Sequence, residues 1–166
     1  MMLVTLDEVK QYLEISGTEQ DEKLNLLLAA ADSYIKDECG REFEYNTFIE
    51  YTKFSNGVVF LRETPIESIV SITDLDGNSY SHEYLDKENG ILILADKVDF
   101  EAEIEYIGGY QVIPADLKMA VIRIVEYLLS SSEGTKSVNL EGLAASFGDV
   151  SSYVMNVIDK YRGMWI

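Results

Sequence analysis

Apolar residues recur at helical spacing near both ends of the chain and at every second position in between. Thr5-Leu6-Asp7-Glu8 has capping-box spacing, so the Thr5 hydroxyl can accept from the Glu8 amide while the Glu8 carboxylate reaches back. Val4 and Val9 flank it at hydrophobic-staple spacing. Leu6, Val9, Tyr12 and Leu13 then give an apolar face up to about Ile15, where Ser16-Gly17 stops it. So short a helix takes its stability from docking rather than propensity. Thr18 to Asp21 opens a second helix, with acids in the first turn where the helix dipole favours them. Its stripe is Leu24, Leu27, Leu28, Ala31, Tyr34 and Ile35, and Gly40 can supply a left-handed cap. Ala29-Ala30-Ala31 permits close approach by a neighbouring helix.

From about Phe43 the period shifts towards two. Val58-Val59-Phe60-Leu61 is a short apolar run, and Pro65 marks the turn after it. Ile66, Ile69, Val70 and Ile72 lead into Asp74-Leu75-Asp76-Gly77-Asn78, a hairpin signal with Tyr80 to Leu85 as the return strand. Lys87-Glu88-Asn89-Gly90 turns again before Ile91-Leu92-Ile93-Leu94. Phe100 to Ile107 alternates Phe100, Ala102, Ile104 and Tyr106 with Glu101, Glu103 and Glu105, predicting a half-buried antiparallel strand with one carboxylate-lined face. The expected result is a small meander or barrel of four to six strands.

Tyr106-Ile107-Gly108-Gly109-Tyr110 closes this block, and Pro114-Ala115-Asp116-Leu117-Lys118 opens a third helix, with proline pre-setting its first turn. Leu117, Ala120, Val121, Ile124, Val125 and Leu128 form its buried stripe, and Ser130 to Gly134 ends it. Residues 135–148 are rich in Gly and Ser and read as an exposed loop or short hairpin, either a flexible connection or a segment ordered by a neighbouring subunit. Asp149 caps a last helix with Val150, Tyr153, Val154, Val157, Ile158 and Tyr161 on one face. Gly163 ends it, ahead of the apolar tail Met164-Trp165-Ile166. The predicted architecture is α+β: a four-helix core from residues 1–44 and 108–166, with an antiparallel β-rich insert at 45–107 between the second and third helices.

Charge changes this picture more than size does. The 166 residues carry 30 Asp and Glu against 13 Lys and Arg, a formal net charge of −17. Such a chain repels phosphate, which argues against DNA or RNA binding through a basic patch. The excess is uneven: residues 1–44 hold 11 acids and 4 bases, 45–113 hold 13 and 4, and 114–166 hold 6 and 5. The C-terminal third can therefore approach another protein with little repulsion. An apolar content of 47% excludes a disordered chain. No apolar run is long enough to span a membrane. Met1-Met2-Leu3-Val4-Thr5 lacks the length and basic flank of a secretory signal and reads as part of the fold. Cys39, the single cysteine, reads as a packed thiol, which suits a reducing cytoplasm.

No constellation of reactive residues stands out. Counted from Asp74, Gly77 comes fourth instead of sixth and Leu85 occupies the place of a bidentate Glu, so this is not a calcium loop. His82 has no second His or Cys nearby for zinc. Phosphate loops, dinucleotide fingerprints and nucleophile elbows are missing, and Gly108-Gly109 is not a phosphate cradle. Glu101, Glu103 and Glu105 could in principle hold a cation or act as paired carboxylates. A solvated strand face, or one lining an assembly cavity, fits them better. Trp165 either tucks back onto its own domain or, with Ile166, anchors a partner.

Together, Thr5-Leu6-Asp7-Glu8-Val9-Lys10 with Tyr12-Leu13, Leu24 to Tyr34 ending in Cys39-Gly40-Arg41 and Phe43, and Tyr106 to Tyr110 followed by Pro114, Asp116-Leu117-Lys118 and Ala120 resemble the head–tail connector proteins of tailed bacteriophages and prophages, also called head-completion or adaptor proteins. The strand block is larger than in the compact, nearly all-helical members. The resemblance implies a non-enzymatic, cofactor-free ring subunit of the virion neck, made in the bacterial cytoplasm. Such rings, usually twelvefold, sit beneath the portal protein, extend the DNA exit channel and bridge to head-closure or tail-completion proteins. It also implies that residues 150–166 engage the portal, which makes Tyr153, Val157, Tyr161, Met164, Trp165 and Ile166 candidates for a portal or subunit interface. Glu101, Glu103 and Glu105 are candidates for an acidic surface or channel lining along which DNA slides. The rivals are an acidic interaction module, such as a DNA-mimic inhibitor, and a carboxylate-dependent hydrolase.

Overall fold

The computed structural model describes residues 2–133 and 152–163. Among them are four helices and six strands: α1 (Leu6–Tyr12), α2 (Asp21–Cys39), β1 (Asn46–Phe54), β2 (Val58–Phe60), β3 (Ile66–Asp74), β4 (His82–Asp86), β5 (Ile91–Leu94), β6 (Phe100–Gly108), α3 (Ala115–Glu133) and α4 (Ser152–Tyr161). The four helices with an antiparallel β-rich insert between the second and third are those the sequence predicts. They form two compact units, one running to Cys39 and resuming over Ile113–Arg162, the other Gly40–Val112.

In the helical unit the capping box forms as expected. The Glu8 N–H donates to Thr5 Oγ1 at 3.3 Å and the Thr5 N–H to Glu8 Oε2 at 2.8 Å. Only Val9 of α1 is fully buried, and Lys118 Nζ of α3 grips the Glu8 carboxylate at 2.5 Å. The segment ahead of α1 is pinned by its Leu3 N–H, which donates to the buried Asp32 of α2 at 2.6 Å; Lys36 balances that carboxylate at 3.2 Å. All six stripe residues predicted for α3 are buried, as are Leu24, Leu27, Leu28, Ala31 and Ile35 of α2. Cys39 is a packed thiol, its Sγ 3.8 Å from the Ile158 carbonyl of α4. In α4 the buried set is Val154, Val157, Ile158 and Tyr161, whereas Tyr153, predicted on the same face, is 42% exposed. Val150 and Asp149 lie outside the described residues, as does the 135–148 loop.

The β unit departs from a meander. Its strands make two three-stranded antiparallel sheets, in the orders β1-β6-β3 and β2-β5-β4. One core serves both, built on Phe54, Leu61, Ile72, Leu92, Ile104 and Tyr106. The hairpins start paired and then part. After the Asn56-Gly57 turn, both residues at positive φ as a type I′ turn requires, Ser55 and Val58 exchange hydrogen bonds at 2.9 and 3.0 Å. Beyond that bridge β1 goes to one sheet and β2 to the other. The Asp74–Asn78 turn does form, with Asp74 Oδ1 accepting from the Asp76 and Asn78 amides at 3.0 and 2.8 Å. The predicted return strand, however, pairs with β3 only through the Thr73–Ser79 bridge and the Tyr80 N–H on the Ile72 carbonyl. Tyr80 stacks on Phe100 at 4.5 Å, which turns the chain inward, and β4 then pairs with β5 because the apolar Ile91–Leu94 needs ladder partners on both sides.

The Gly108-Gly109 pair explains itself through space. A Cβ on Gly108 would lie 2.1 Å from the Glu63 carbonyl oxygen, and one on Gly109, at φ +85°, 2.4 Å from that of Glu44. Both contacts are with backbone, which cannot swing away. The Gly109 N–H bonds the Pro65 carbonyl at 3.0 Å, and the Tyr110 N–H bonds that of Phe43 at 2.7 Å. Replacing either glycine with alanine is expected to destabilise the fold by roughly 2 kcal/mol or more, from overlap at Gly108 and from overlap plus left-handed strain at Gly109. Urea unfolding of the two variants against the parent measures this, and a loss below about 0.5 kcal/mol would contradict it.

Candidate interaction surfaces

β6 is the central strand of its sheet, so its alternate residues divide between the core and the outside. Ala102, Ile104 and Tyr106 are buried, while Glu101 is exposed and Glu103 and Glu105 are half-buried on the opposite face. The structure therefore brings the three predicted glutamates together in one column. Their neighbours follow from register: Lys53, Tyr51 and Ile49 of β1 lie opposite Glu101, Glu103 and Glu105, and Thr73 and Ser71 of β3 lie opposite Glu103 and Glu105. Glu103, opposite Tyr51 in the ladder, raises the pKa of its phenol. A recess of about 340 Å³ opens beside this column, lined by Tyr51, Thr52, Lys53, Leu75, Glu101 and Ala102.

The C-terminal candidates divide. Tyr153 is exposed on α4, whereas Val157 and Tyr161 belong to the helical core and offer no surface there. Met164, Trp165 and Ile166 lie outside the described residues. Tyr161 holds α4 in place: its hydroxyl donates to Asp116 Oδ1 at 2.8 Å, and Lys160 Nζ meets Oδ2 at 2.6 Å. Burial works against the Asp116 charge, but these two hydrogen bonds outweigh it and hold the carboxyl below its ordinary range. Arg162 adds a second tie, donating to the Glu38 carbonyl and carboxylate, each at 3.2 Å.

The sequence reading passed over two features of the β unit. Ile49 and Tyr51 stand outward at 57% and 75% exposure. Beneath them, Glu50 Oε1 accepts from the Arg62 N–H at 2.9 Å and from the Tyr106 hydroxyl, which in turn accepts from the Glu63 N–H at 3.1 Å. Glu63 itself is buried, and its Oε2 has no hydrogen-bond partner. Burial pushes its carboxyl up to about 7, with Arg41 opposing and the Glu50 charge reinforcing the rise. Arg41, also buried, reaches Thr64 Oγ1 at 2.6 Å and lies 4.9 Å from the centre of the Phe43 ring. Among the described residues, no three His, Cys, Asp or Glu side chains cluster closely enough to hold a metal ion.

Residues 2–164 match the model of the family described as head completion protein. Among solved structures, the chain is similar to a chain in the neck of an empty gene transfer agent particle computed with sixfold symmetry. The two share 13% identity at a TM-score of 0.67, over 99% of this chain and 91% of the other. A chain in the neck of the native particle, computed with twelvefold symmetry, gives 15% identity and a TM-score of 0.58, over 87% and 84%. One from the virion of the native particle gives 14% and 0.64, over 99% and 91%. At these identities the likeness is one of fold. No curated protein matches the chain.

The buried Glu63 makes stability depend on pH in a defined window. Between its ordinary value of 4.5 and about 7, the folded state holds a proton that the unfolded state has lost. Stability therefore falls as pH rises through this range and stays lower above it. Allowing for partial screening, the loss is on the order of 2 kcal/mol. Denaturant midpoints measured from pH 5 to 8 should decline for the parent and stay level for Glu63→Gln. A level parent curve contradicts this reading. The lowered carboxyls of Glu8 and Asp116 titrate below the window and do not mask it.

Proposed function

The chain belongs to the head completion protein family, and on that premise we propose that it forms a ring in the neck of a tailed phage or phage-like particle, seated beneath the portal. A head completion protein is a structural part of the particle that joins capsid to tail, so its work is mechanical and not catalytic. Twelve copies is the number we propose, and a chain of similar fold comes from a neck computed with twelvefold symmetry. A ring of this kind closes through heterologous contacts, each subunit offering two different faces. The neighbours would be the portal above and a head-closure or tail-completion protein below, with synthesis in the bacterial cytoplasm before assembly.

The observation that carries this is the family match over residues 2–164. The glutamate column on β6 supports a lining role. Three carboxylates on a sheet face in a chain of net charge −17 repel the phosphates of a passing duplex, so DNA slides without adhering. In the C-terminal region we assign exposed Tyr153 to contact with the portal or the next subunit, and residues 164–166 to the same role from their apolar sequence. Val157 and Tyr161 support Tyr153 from within by fixing α4.

Mixing the purified chain with portal rings, and counting subunits by mass photometry and cryo-electron microscopy, tests the proposal. The expected product is one chain ring per portal. Absence of binding at tens of micromolar, together with no ring in particles carrying the tagged chain, would sink it. Particles carrying Glu101→Lys, Glu103→Lys and Glu105→Lys together should assemble but release DNA more slowly, with the delay shrinking at high salt. Unchanged release would remove these residues from the lining.

A further inference from the structure

The two outer strands of the β1-β6-β3 sheet are finished differently. β3 is interrupted by register shifts between Ile66 and Ser68 and between Ile69 and Ser71. Its outward backbone is also occupied: the Ile66 N–H bonds the Lys87 carbonyl at 2.7 Å, the Ile72 carbonyl accepts from Tyr80 at 2.9 Å, and the Asp74 N–H bonds the Asn78 carbonyl at 3.0 Å. Bulges and covering segments are the usual ways of closing an edge against stray pairing.

Among the described residues β1 has neither protection. It pairs with β6 without a shift for nine residues, and beyond the Ser55–Val58 bridge no described strand pairs with its other side. The Thr47 N–H donates to Asn46 Oδ1 at 2.8 Å instead of crossing to β6, which sets the parity. Ile49, Tyr51 and Lys53 then direct their N–H and C=O groups outward with it. Because β2 leaves for the second sheet, a groove of about 380 Å³ opens along this edge, lined by Ile49, Glu50, Tyr51, Thr52, Phe60 and Arg62. The side-chain pattern is inverted as well, with Glu50 turned to the inner side and Ile49 and Tyr51 to solvent. A strand that places its apolar residues outside and keeps its backbone unpaired has the two halves of a strand-addition site: hydrogen bonds for affinity and alternate side chains for selection.

We infer that the β1 edge from Thr47 to Lys53 receives an extended segment of another protein, apolar where it passes Ile49 and Tyr51 and basic at its flanks. The basic requirement follows from charge. Gly40–Val112 holds 15 acidic and 5 basic residues, and Glu103 and Glu105 stand one strand away from the docked segment. A second copy of this unit would bring a further net −10 against the same face, so the occupant is not the same unit of another copy. The inference does not depend on the ring. A chain that fails to bind portal can still pass the test below, and one that binds portal can fail it.

The probe is an acetylated, amidated nonapeptide with a Val-Thr-Val-Thr-Val centre between two pairs of lysines, added to the full chain and followed by amide hydrogen exchange. At millimolar peptide the amides of Ile49, Tyr51 and Lys53 should gain about tenfold protection, while those of Phe48, Glu50 and Thr52, already in the ladder, change little. The same peptide with glutamate pairs should bind about tenfold more weakly at low salt. Ile49→Lys with Tyr51→Lys, both at exposed sites, should abolish the protection and leave the thermal midpoint unmoved. No protection, equal binding of the acidic peptide, or protection without peptide that grows with chain concentration would each overturn the inference, the last by assigning the edge to a second copy.

Discussion

Where β6 ends, three backbone segments share a space too small for one methyl group. Gly108 passes under the Glu63 carbonyl and Gly109 under that of Glu44. Those contacts decide where residues 43–45 and 63–65 lie and, through Tyr106, what the interior of the β unit must accommodate. The Glu63 amide reaches the Tyr106 hydroxyl, that hydroxyl reaches Glu50, and the Glu63 carboxylate is left buried with one oxygen unsatisfied. An enclosed carboxylate is therefore a by-product of close backbone packing, and its raised pKa follows from the same crowding.

The helical unit was legible because its signals are local and agree with one another. Thr5 and Glu8 meet as the capping box predicts, and the α3 stripe from Leu117 to Leu128 is buried without exception. Tyr153 deviates because a spacing pattern cannot separate the rim of a helix face from its centre. β6 was equally plain, since its Ala102, Ile104 and Tyr106 all go to one side. β1 was not, for a physical reason. Phe48, Glu50, Thr52 and Phe54 face inward while Ile49 and Tyr51 face out, so hydrophobicity there does not report burial. The Asn56-Gly57 pair, a hairpin signal in plain view, would have placed the strand. Sequence alone could not show that both hairpins separate, because β5 pairs not only with the adjacent β4 but also with β2, far back along the chain.

Of the candidate sites, the glutamate column was readable from alternation, since a central strand fixes its own two faces. The open β1 edge was not, because it is defined by what fails to pair with it. Sequence rules break down most often where a residue serves something other than the chain's own stability. In β1 the breakdown is double: a polar residue inside with its hydrogen bonds supplied by Tyr106 and Arg62, and apolar residues outside that no described residue covers.

Charge and edge geometry then bear on each other. An unbulged nine-residue edge with exposed Ile49 and Tyr51 invites pairing between identical chains, which would consume subunits before assembly. Twisting that edge away with bulges, as in β3, would also close it to every partner. Acid on the adjoining strand discriminates instead. Two copies meeting edge to edge would bring their Glu101, Glu103 and Glu105 columns within a few strand widths in a unit already at net −10, and repulsion accumulates over every such pair. A basic segment meets the same field as attraction. The carboxylate column can thus serve two ends at once, keeping free subunits apart while leaving the edge open to a partner of opposite charge. That discrimination weakens as salt screens it, so the tendency of free chains to pair through β1 should rise with ionic strength while the pull on a basic segment falls.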